Sequence, residues 1–501
     1  MSAERHALLL AGPQHWDERR PTTGKIRGYL EHLDPLGIAI VSSYLKQSGF
    51  ETTYATLSPE PLPPSTKALI DIVNCVFISA RYFDASMAEE AIKIAKEKGK
   101  TVVVGGYGPT FYEEKYAEAD ALVQGEFEPV APELMDDLLS KRLKSVYDSR
   151  KQDPFNLNKY IYPDRSIFPK PPKVLPQLHR HAQEWQRGCS NYCSYCSPTR
   201  MQRGGGDTTR YRSVENIIGE IEQMGLKRGD HLFSVDLNTS SIPRPVLFEL
   251  FTYLKEKGIC WYTEGTIAPL LKDHDEYGPN SLLNLMSVKA GKGEGGCYSF
   301  LYGADDITSL KVKGSKDKEI GMLEKAVPIF KEMGIPLNLS VVIGLDDHIY
   351  PDTFYRYAYR LKALEVPYSF LHLATPYPST PWGNMVEKEE RIIDRDPLHY
   401  NHRSPVFKPK NMTTEELQQG YYWLMRKLYS LKEITHTFQE NFDPTMAVKN
   451  PLLATIKSGL PWGVETYLST KELEARGYIN NDLQRFLDAD YNSWLSQGNH
   501  G

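Results

Sequence analysis

No stretch of this chain approaches the roughly 18 consecutive apolar residues that a membrane-crossing helix needs. Its first residues, Met-Ser-Ala-Glu-Arg-His, lack the charged-then-apolar order of a secretory signal. Charge of one sign is also lacking: 59 Lys and Arg stand against 64 Asp and Glu, a net −5, which gives no basis for a nucleic-acid or polyanion partner. Cysteine is scarce, with 6 in 501 residues, too few for a disulfide scaffold. There is no internal repeat and no low-complexity tract. These absences leave a cytoplasmic protein, with no membrane and no nucleic acid among its expected partners.

The cysteines that are present are concentrated. Cys189, Cys193 and Cys196 share the stretch Arg187-Gly-Cys-Ser-Asn-Tyr-Cys-Ser-Tyr-Cys-Ser-Pro198, with gaps of three residues and then two, while Cys75, Cys260 and Cys297 are scattered. Three thiolates can hold three irons of a [4Fe–4S] cube and leave the fourth iron without a protein ligand, whereas electron-transfer clusters fill every corner with cysteine. An open corner admits a substrate or cofactor, as a catalytic zinc keeps one position free. A structural zinc would need four ligands, and no second pair exists here; His179 and His181 lie upstream in a proline-rich stretch. Zinc and uncoordinated thiols are therefore the lesser readings.

With 41% hydrophobic residues the chain can fill two to four domains. Residues 1–150 alternate strand and helix patterns. Strands are expected at 7–11, 76–79, 101–104 and 121–123, and helices at 36–48 and from Ser86, where Glu89 completes a capping-box pattern. The implied Rossmann-like parallel sheet takes ligands at the carboxyl ends of its strands. Gly12, Gly105, Gly106, Gly108 and Gly125 stand there, so backbone could approach a large flat ligand. Residues 151–183, rich in proline, read as a surface connector. Residues 184–410 carry six strand-plus-helix periods, with strands at 184–187, 232–237, 259–264, 297–302, 337–343 and 368–375. That is too few for a closed eight-stranded barrel and fits a partial (β/α)6 TIM barrel. Its clearest helix carries Val214, Ile217, Ile218, Ile221 and Met224 on one face, capped by Ser213 and stopped by Gly225. Residues 411–501 read as a helical region beginning at Thr413 or Thr414; the last 60 residues show no decisive pattern.

The cysteine loop, with Tyr195 ahead of its last cysteine, resembles that of the radical S-adenosylmethionine (SAM) enzymes. Phe233-Ser-Val-Asp-Leu-Asn238 resembles their second-strand motif near the SAM amino group, and Tyr302-Gly-Ala-Asp305 stands where relatives show a Gly-Ile-Glu-Ser-like stretch. Val342-Ile-Gly-Leu345 resembles the fifth-strand motif near adenine, and Thr375-Pro-Tyr-Pro-Ser-Thr-Pro381 the end of the sixth strand. Further upstream, Asp34-Pro-Leu-Gly37, Gly105-Gly-Tyr-Gly-Pro-Thr110 and Gly125-Glu-Phe-Glu128 resemble the cobalamin-binding-domain branch, so that the resemblance covers about residues 7–430.

The resemblance implies a [4Fe–4S] cluster on Cys189, Cys193 and Cys196. It implies a SAM site at Tyr195, Asp236, Asn238, Asp305, Ile343 and Thr375, and a cobalamin-type site at Gly12, Gly105, Gly106, Gly108, Gly125 and Glu126. It implies methylation of an unactivated carbon of a small-molecule or natural-product substrate: one SAM methylates cobalamin, and a second yields the 5′-deoxyadenosyl radical. An external donor such as flavodoxin or ferredoxin supplies the electron. The same branch includes deoxygenation, dehydration, cyclisation and rearrangement without methyl transfer, with or without cobalamin. There are departures. None of the 13 histidines stands in the Asp-x-His-x-x-G motif that ligates cobalt from below in many such domains; its expected region reads Ser79-Ala-Arg-Tyr-Phe-Asp-Ala-Ser86. Either cobalamin binds without a protein histidine or the domain has lost it. Asp305 replaces a usual glutamate and Leu237 a usual acid.

Tyr262 and Glu264, near the end of the third barrel strand, are catalytic candidates set against a packing aromatic and a rim carboxylate. Cys297, like Cys260, is a candidate hydrogen-atom donor set against a small apolar filler. Gly204-Gly205-Gly206 lacks the Gly-Lys-Ser/Thr ending of a phosphate loop. Lys311, Lys313, Lys316 and Lys318 form a basic stretch, by default a solvated face, alternatively a grip on a phosphorylated or carboxylated substrate. The reading from another class is a non-catalytic iron–sulfur electron carrier or sensor, whose fully ligated cluster would ignore SAM. The open corner predicts that SAM shifts the electron paramagnetic resonance spectrum of the reduced cluster; an unchanged spectrum supports the carrier.

Overall fold

The computed structural model describes residues 5–12, 33–57, 61–169, 180–191, 193–198, 209–288, 295–308, 316–441 and 459–498. Gly204–Gly206, His179, Lys311 and Lys313 lie outside these residues; Lys316 and Lys318 open the helix Lys316–Glu332. None of the described helices is long and apolar enough to cross a membrane.

The first sheet has six parallel strands: β1 (Arg5–Ala11), β2 (Phe50–Thr56), β3 (Cys75–Ser79), β4 (Thr101–Gly105), β5 (Ala121–Gln124) and β6 (Val146–Asp148), in the order β2-β1-β3-β4-β5-β6. Alternate residues feed two cores, Leu8, Leu10, Val76 and Ile78 on one face, Ala7, Leu9, Phe77 and Val103 on the other. This is why the inner strands read as continuous apolar runs. The pattern reading omitted β2 and β6. Both are edge strands, β2 mostly half-exposed and polar, β6 only three residues long, so neither needs an apolar run. The helix expected from Ser86 begins at Ala85, without the Ser86–Glu89 box. Asp84 precedes it, and its carboxylate is turned back to Arg81, accepting from the backbone N–H and from Nε, both at 2.9 Å.

The second sheet is the half-barrel: β7 (Arg180–Gln183), β10 (His231–Ser234), β11 (Cys260–Glu264), β12 (Gly296–Asp305), β13 (Leu337–Ile343) and β14 (Ser369–Leu373), parallel and in chain order across the sheet. One strand is displaced from expectation. Arg180–Gln183, not 184–187, pairs with His231–Ser234. The chain then leaves the sheet, because Asp236 takes the backbone N–H groups of Trp185 and Gln186. Gln186–Arg187 becomes β8, antiparallel to β9 (Arg210–Tyr211). The helix Val214–Met224 forms as read: Ser213 Oγ accepts from Asn216 N–H, and Gly225 ends it at φ 65°.

The described part of the expected surface connector is instead wedged between the sheets. Leu157 and Tyr160 are buried, Ser43 Oγ donates to Tyr162 O at 2.9 Å, and Arg165 pairs with Glu220 at 2.6 Å. Glu220 also pairs with Arg212, both fully buried, with Arg212 lying 4.4 Å over the Tyr160 ring. On the far side, Thr413 and Glu416 form a reciprocal capping box for the helix Thr414–Leu428. The last 60 residues supply the helices Leu460–Ala475 and Asn481–Ser496. Trp494 and Tyr491 of the second pack on Tyr355 of the barrel helix Asp352–Leu364, and Trp494 Nε1 donates to Asp352 at 3.0 Å.

Removing the carboxylate of Glu220 strands two guanidiniums in the interior. Glu220→Ala is expected to cost about 3–5 kcal/mol, read as a lowered urea midpoint at unchanged slope.

Candidate cofactor and active site

The cysteine loop follows β8 directly, turning at Gly188 (φ 89°). Cys196 N–H donates to Cys193 O at 3.2 Å, and Trp382 N–H, at the start of the helix Pro381–Lys388, donates to Ser194 O at 3.0 Å. None of the three forms a disulfide, and all are partly exposed. Cys193 Sγ lies 4.0 Å from Asp305 Oδ2, at the end of β12. Burial, then Asp305, then the neighbouring thiols push the Cys193 thiol up to about 12. Three thiols beside a carboxylate are a donor set suited to a bound cationic metal centre, whose charge would offset the repulsion that raises Cys193. The Tyr195 hydroxyl is buried beside Cys193 and Asp305 without a hydrogen bond of standard geometry, a polar atom left for a ligand.

The other expected SAM residues behave differently. Asp236 is fully buried, and its oxygens are occupied by the chain itself: Oδ1 by Trp185 N (2.7 Å) and Gln186 N (2.9 Å), Oδ2 by Ser234 Oγ (2.7 Å) and Thr239 Oγ1 (3.1 Å). Burial outweighs these bonds and lifts its carboxyl to about 6. In the structure Asp236, expected beside SAM, clamps the turn before the cysteines. Asn238 Oδ1 accepts from Thr266 N at 3.1 Å, joining the loops after β10 and β11. Ile343 is fully buried, and Thr375 Oγ1 is turned to Leu373 O at 3.1 Å.

The mouth itself is visible in the alternation of exposure. Leu301, Gly303 and Asp305 of β12, Ser340 and Val342 of β13, and Phe370 and His372 of β14 are open or half-open, while their neighbours in sequence are buried. On β11, Tyr262 stacks on Phe233 at 4.0 Å and 8°, and its hydroxyl donates to Glu264 Oε2 at 3.2 Å. Burial raises the Glu264 carboxyl to about 7, so it holds or releases a proton near neutrality. Cys297 is fully buried, and its Sγ–H points to Ser299 O at 3.3 Å, which places it in the packing rather than at the mouth.

A cavity of about 240 Å³ opens at the carboxyl ends of β3, β4 and β5. The sheet order switches direction between β1 and β3, where ligands of such sheets bind. Gly105, Gly106, Gly125 and Glu126 line it as expected. Gly12 and Gly108 do not. A Cβ at Gly12 would lie 2.2 Å from Asp84, and one at Gly108 would lie 2.2 Å from the Tyr116 hydroxyl, so internal packing requires both glycines. Gly37 and Gly105 are the informative ones: both line the cavity, and a Cβ at either would meet nothing closer than 3.5 Å. Their bare backbone leaves room for a ligand against the sheet. No histidine lines the cavity among the described residues.

The wall opposite the sheet was not anticipated. Glu128, Glu184, Arg187 and Tyr107 also line the cavity. Arg187 forks onto Glu128 at 2.6 and 3.1 Å, donates through Nε to Glu184 at 2.8 Å, and lies 3.3 Å from Glu126. Arg210 of β9 also holds Glu126. Burial lifts the Glu184 carboxyl to about 7, against the pull of Arg187. The only sequence signal was Arg187 preceding Gly-Cys, with two acids in Gly125-Glu-Phe-Glu128. Asp306, Asp347 and His348 also converge. There, His348 Nδ1 accepts from Gly344 N–H at 3.0 Å, so Nε2 carries the proton and faces Asp306 Oδ1 at 3.5 Å, with Asp347 an exposed acid beside them.

Comparison with known proteins agrees with this geometry. The B12 binding domain family matches residues 28–135. The chain is 23% identical over 412 residues to bacteriochlorophyllide d C-12(1)-methyltransferase of Chlorobaculum tepidum, covering 81% of this chain and 84% of that one. It is 24% identical to the anaerobic magnesium-protoporphyrin IX monomethyl ester cyclase of Cereibacter sphaeroides, covering 80% and 68%. Its fold matches that of the radical S-adenosylmethionine methyltransferase TsrM of Kitasatospora setae, solved with cobalamin and a [4Fe–4S] cluster, at a TM-score of 0.61 and 15% identity over 94% of this chain and 100% of that one. The fold class is that of a B12-binding domain joined to a partial barrel. The resemblance to the cobalamin-binding branch of the radical SAM enzymes is borne out.

Because Glu264 keeps its proton to about pH 7 when folded and loses it near 4.5 when unfolded, the folded state binds the extra proton between those values. Cofactor-free protein should therefore lose stability as pH rises from 4.5 to 7, and Glu264→Gln should flatten that loss in denaturant titrations across the window.

Proposed function

We propose that this protein is a cobalamin-dependent radical SAM enzyme that methylates an unactivated carbon of a small-molecule substrate. One observation carries the reading: Arg187, in the wall of the B12-type cavity, stands two residues before Cys189, so the two cofactor sites share a boundary. Cys189, Cys193 and Cys196 would hold the cluster, with Tyr195 and Asp305 beside SAM. Gly37, Gly105, Gly106 and Gly125 would lie under the corrin. Bound together, these groups supply an electron, a hydrogen-abstracting species and a methyl group. The chain's own residues do the rest. Asp236 and Asn238 fix the loops, Phe233 and Tyr262 present an aromatic face to substrate, and Glu264 holds a proton at the mouth. Residues 1–150 serve as the cobalamin unit, 151–183 as the link, 184–410 as the SAM barrel and 411–501 as the helical cap. A flavodoxin- or ferredoxin-type donor in the cytoplasm would provide the electron.

The cyclase among the relatives supports a second reading, the same radical without methyl transfer. Metal and product analysis separates the two. Anaerobically reconstituted protein is expected to hold stoichiometric cobalt and to form both S-adenosylhomocysteine and 5′-deoxyadenosine from SAM. Cobalt-free protein yielding 5′-deoxyadenosine alone supports the second reading. Replacing all three loop cysteines by alanine should abolish iron and both products.

A further inference from the structure

We infer that Arg187 is a positioning residue through which filling of the B12-type cavity stiffens the cysteine loop, so that the two cofactors bind with positive coupling. The inference rests on the function proposed above. Its basis is a short covalent and hydrogen-bonded path. On the cavity side, Gly125 (φ 84°) turns the chain out of β5, a conformation that favours glycine, and delivers Glu126 and Glu128 to the wall. Glu128 is 4% exposed, and Arg187 is 6% exposed. Their two parallel bonds, at 2.6 and 3.1 Å, use the planar fork that only arginine offers. The Nε bond to Glu184 at 2.8 Å fixes the third edge of the guanidinium. On the cluster side, one glycine separates Arg187 from Cys189. The partner strand is pinned by the same segment, through Arg210 and Glu126 at 3.1 Å. Both strands of the β8–β9 ribbon are thus held by Gly125-Glu-Phe-Glu128.

The coupling follows from the dielectric. A ligand in the cavity displaces water from the face of this wall, and ion pairs strengthen as the surrounding dielectric falls. Opening the Arg187 fork then costs more with the cavity filled than with it empty. By linkage, a cluster that needs the fork closed must tighten the cavity's ligand by the same factor.

The experiment titrates hydroxocobalamin by absorbance into full-length protein, anaerobically, with the cluster reconstituted and with the iron removed. Cluster loading is expected to tighten binding at least about fivefold, the lower end of common site-to-site couplings. Arg187→Lys keeps the charge and loses the fork; Glu128→Gln keeps the shape and loses the charge. Both should bring the ratio toward one, and both should cancel the change that cobalamin makes in the reduced cluster's paramagnetic spectrum. Thermal melting reports whether each variant is folded. A ratio of one in the wild type overturns the coupling while leaving the proposed function intact. An undiminished ratio in two folded variants overturns the role of Arg187. If hydroxocobalamin fails to bind the cluster-loaded wild type, the proposed function and the coupling fall together.

Discussion

The buried guanidinium of Arg187 is the constraint on which the rest of the site depends. It sits between the two sheets, and it faces three carboxylates, Glu126, Glu128 and Glu184. Arg210 brings the second positive charge. Two cations and three anions in a buried wall would leave a net negative charge, and desolvation makes that costly. Glu184 relieves it. Its carboxyl is raised to about 7, while Glu128, despite complete burial, is held below its ordinary value by the Arg187 fork. The network balances when Glu184 carries a proton. The arrangement joins the cavity at the strand ends to the cysteine loop.

A second anchor acts from below. Asp236 spends its whole carboxylate on the backbone of Trp185 and Gln186 and on two hydroxyls. The chain is thereby forced off the barrel edge two residues before Arg187, and the cysteine loop crosses the mouth instead of continuing as a strand. Arg187 fixes the loop from the cavity side and Asp236 from the barrel side. Beyond Gly188 comes the cysteine loop, where Cys193 Sγ stands 4.0 Å from Asp305 Oδ2. Preorganisation of this kind places the support shell on strands and leaves ligands to a short loop.

Much of this was legible before the structure. Buried parallel strands are apolar on both faces, so β1, β3, β4, β5 and β13 declared themselves within a residue or two. Ser213, Gly225 and Thr413 marked helix ends because their local chemistry is decisive wherever they fold. The misreadings share a cause. The segment 184–187 has the composition of a strand, but its backbone partners come from Asp236 and from residues 210 and 211. The proline-rich connector looked solvated because its burial rests on Tyr160, Arg165 and the paired charges of Arg212 and Glu220, and pairing across the fold is not a local property. Gly12 and Gly108 looked like ligand-facing glycines, yet each makes room for a neighbour distant in sequence.

The sequence alone determined the chemistry class, because metal ligation needs particular atoms at particular spacings, and Cys189, Cys193 and Cys196 supply them within one loop. It also determined the two-sheet architecture, since hydrophobic period and run length are local consequences of burial. Only the tertiary structure decided which of the candidate side chains are held by the chain itself. Asp236 reads as a binding residue in its motif and holds the turn before the cysteines in the fold; no sign in the sequence showed that Glu128 and Arg187 pair with each other across it. A buried charge is defined by the partner that compensates it, and that partner lies on another element, about sixty residues away in sequence for Arg187 and Glu128.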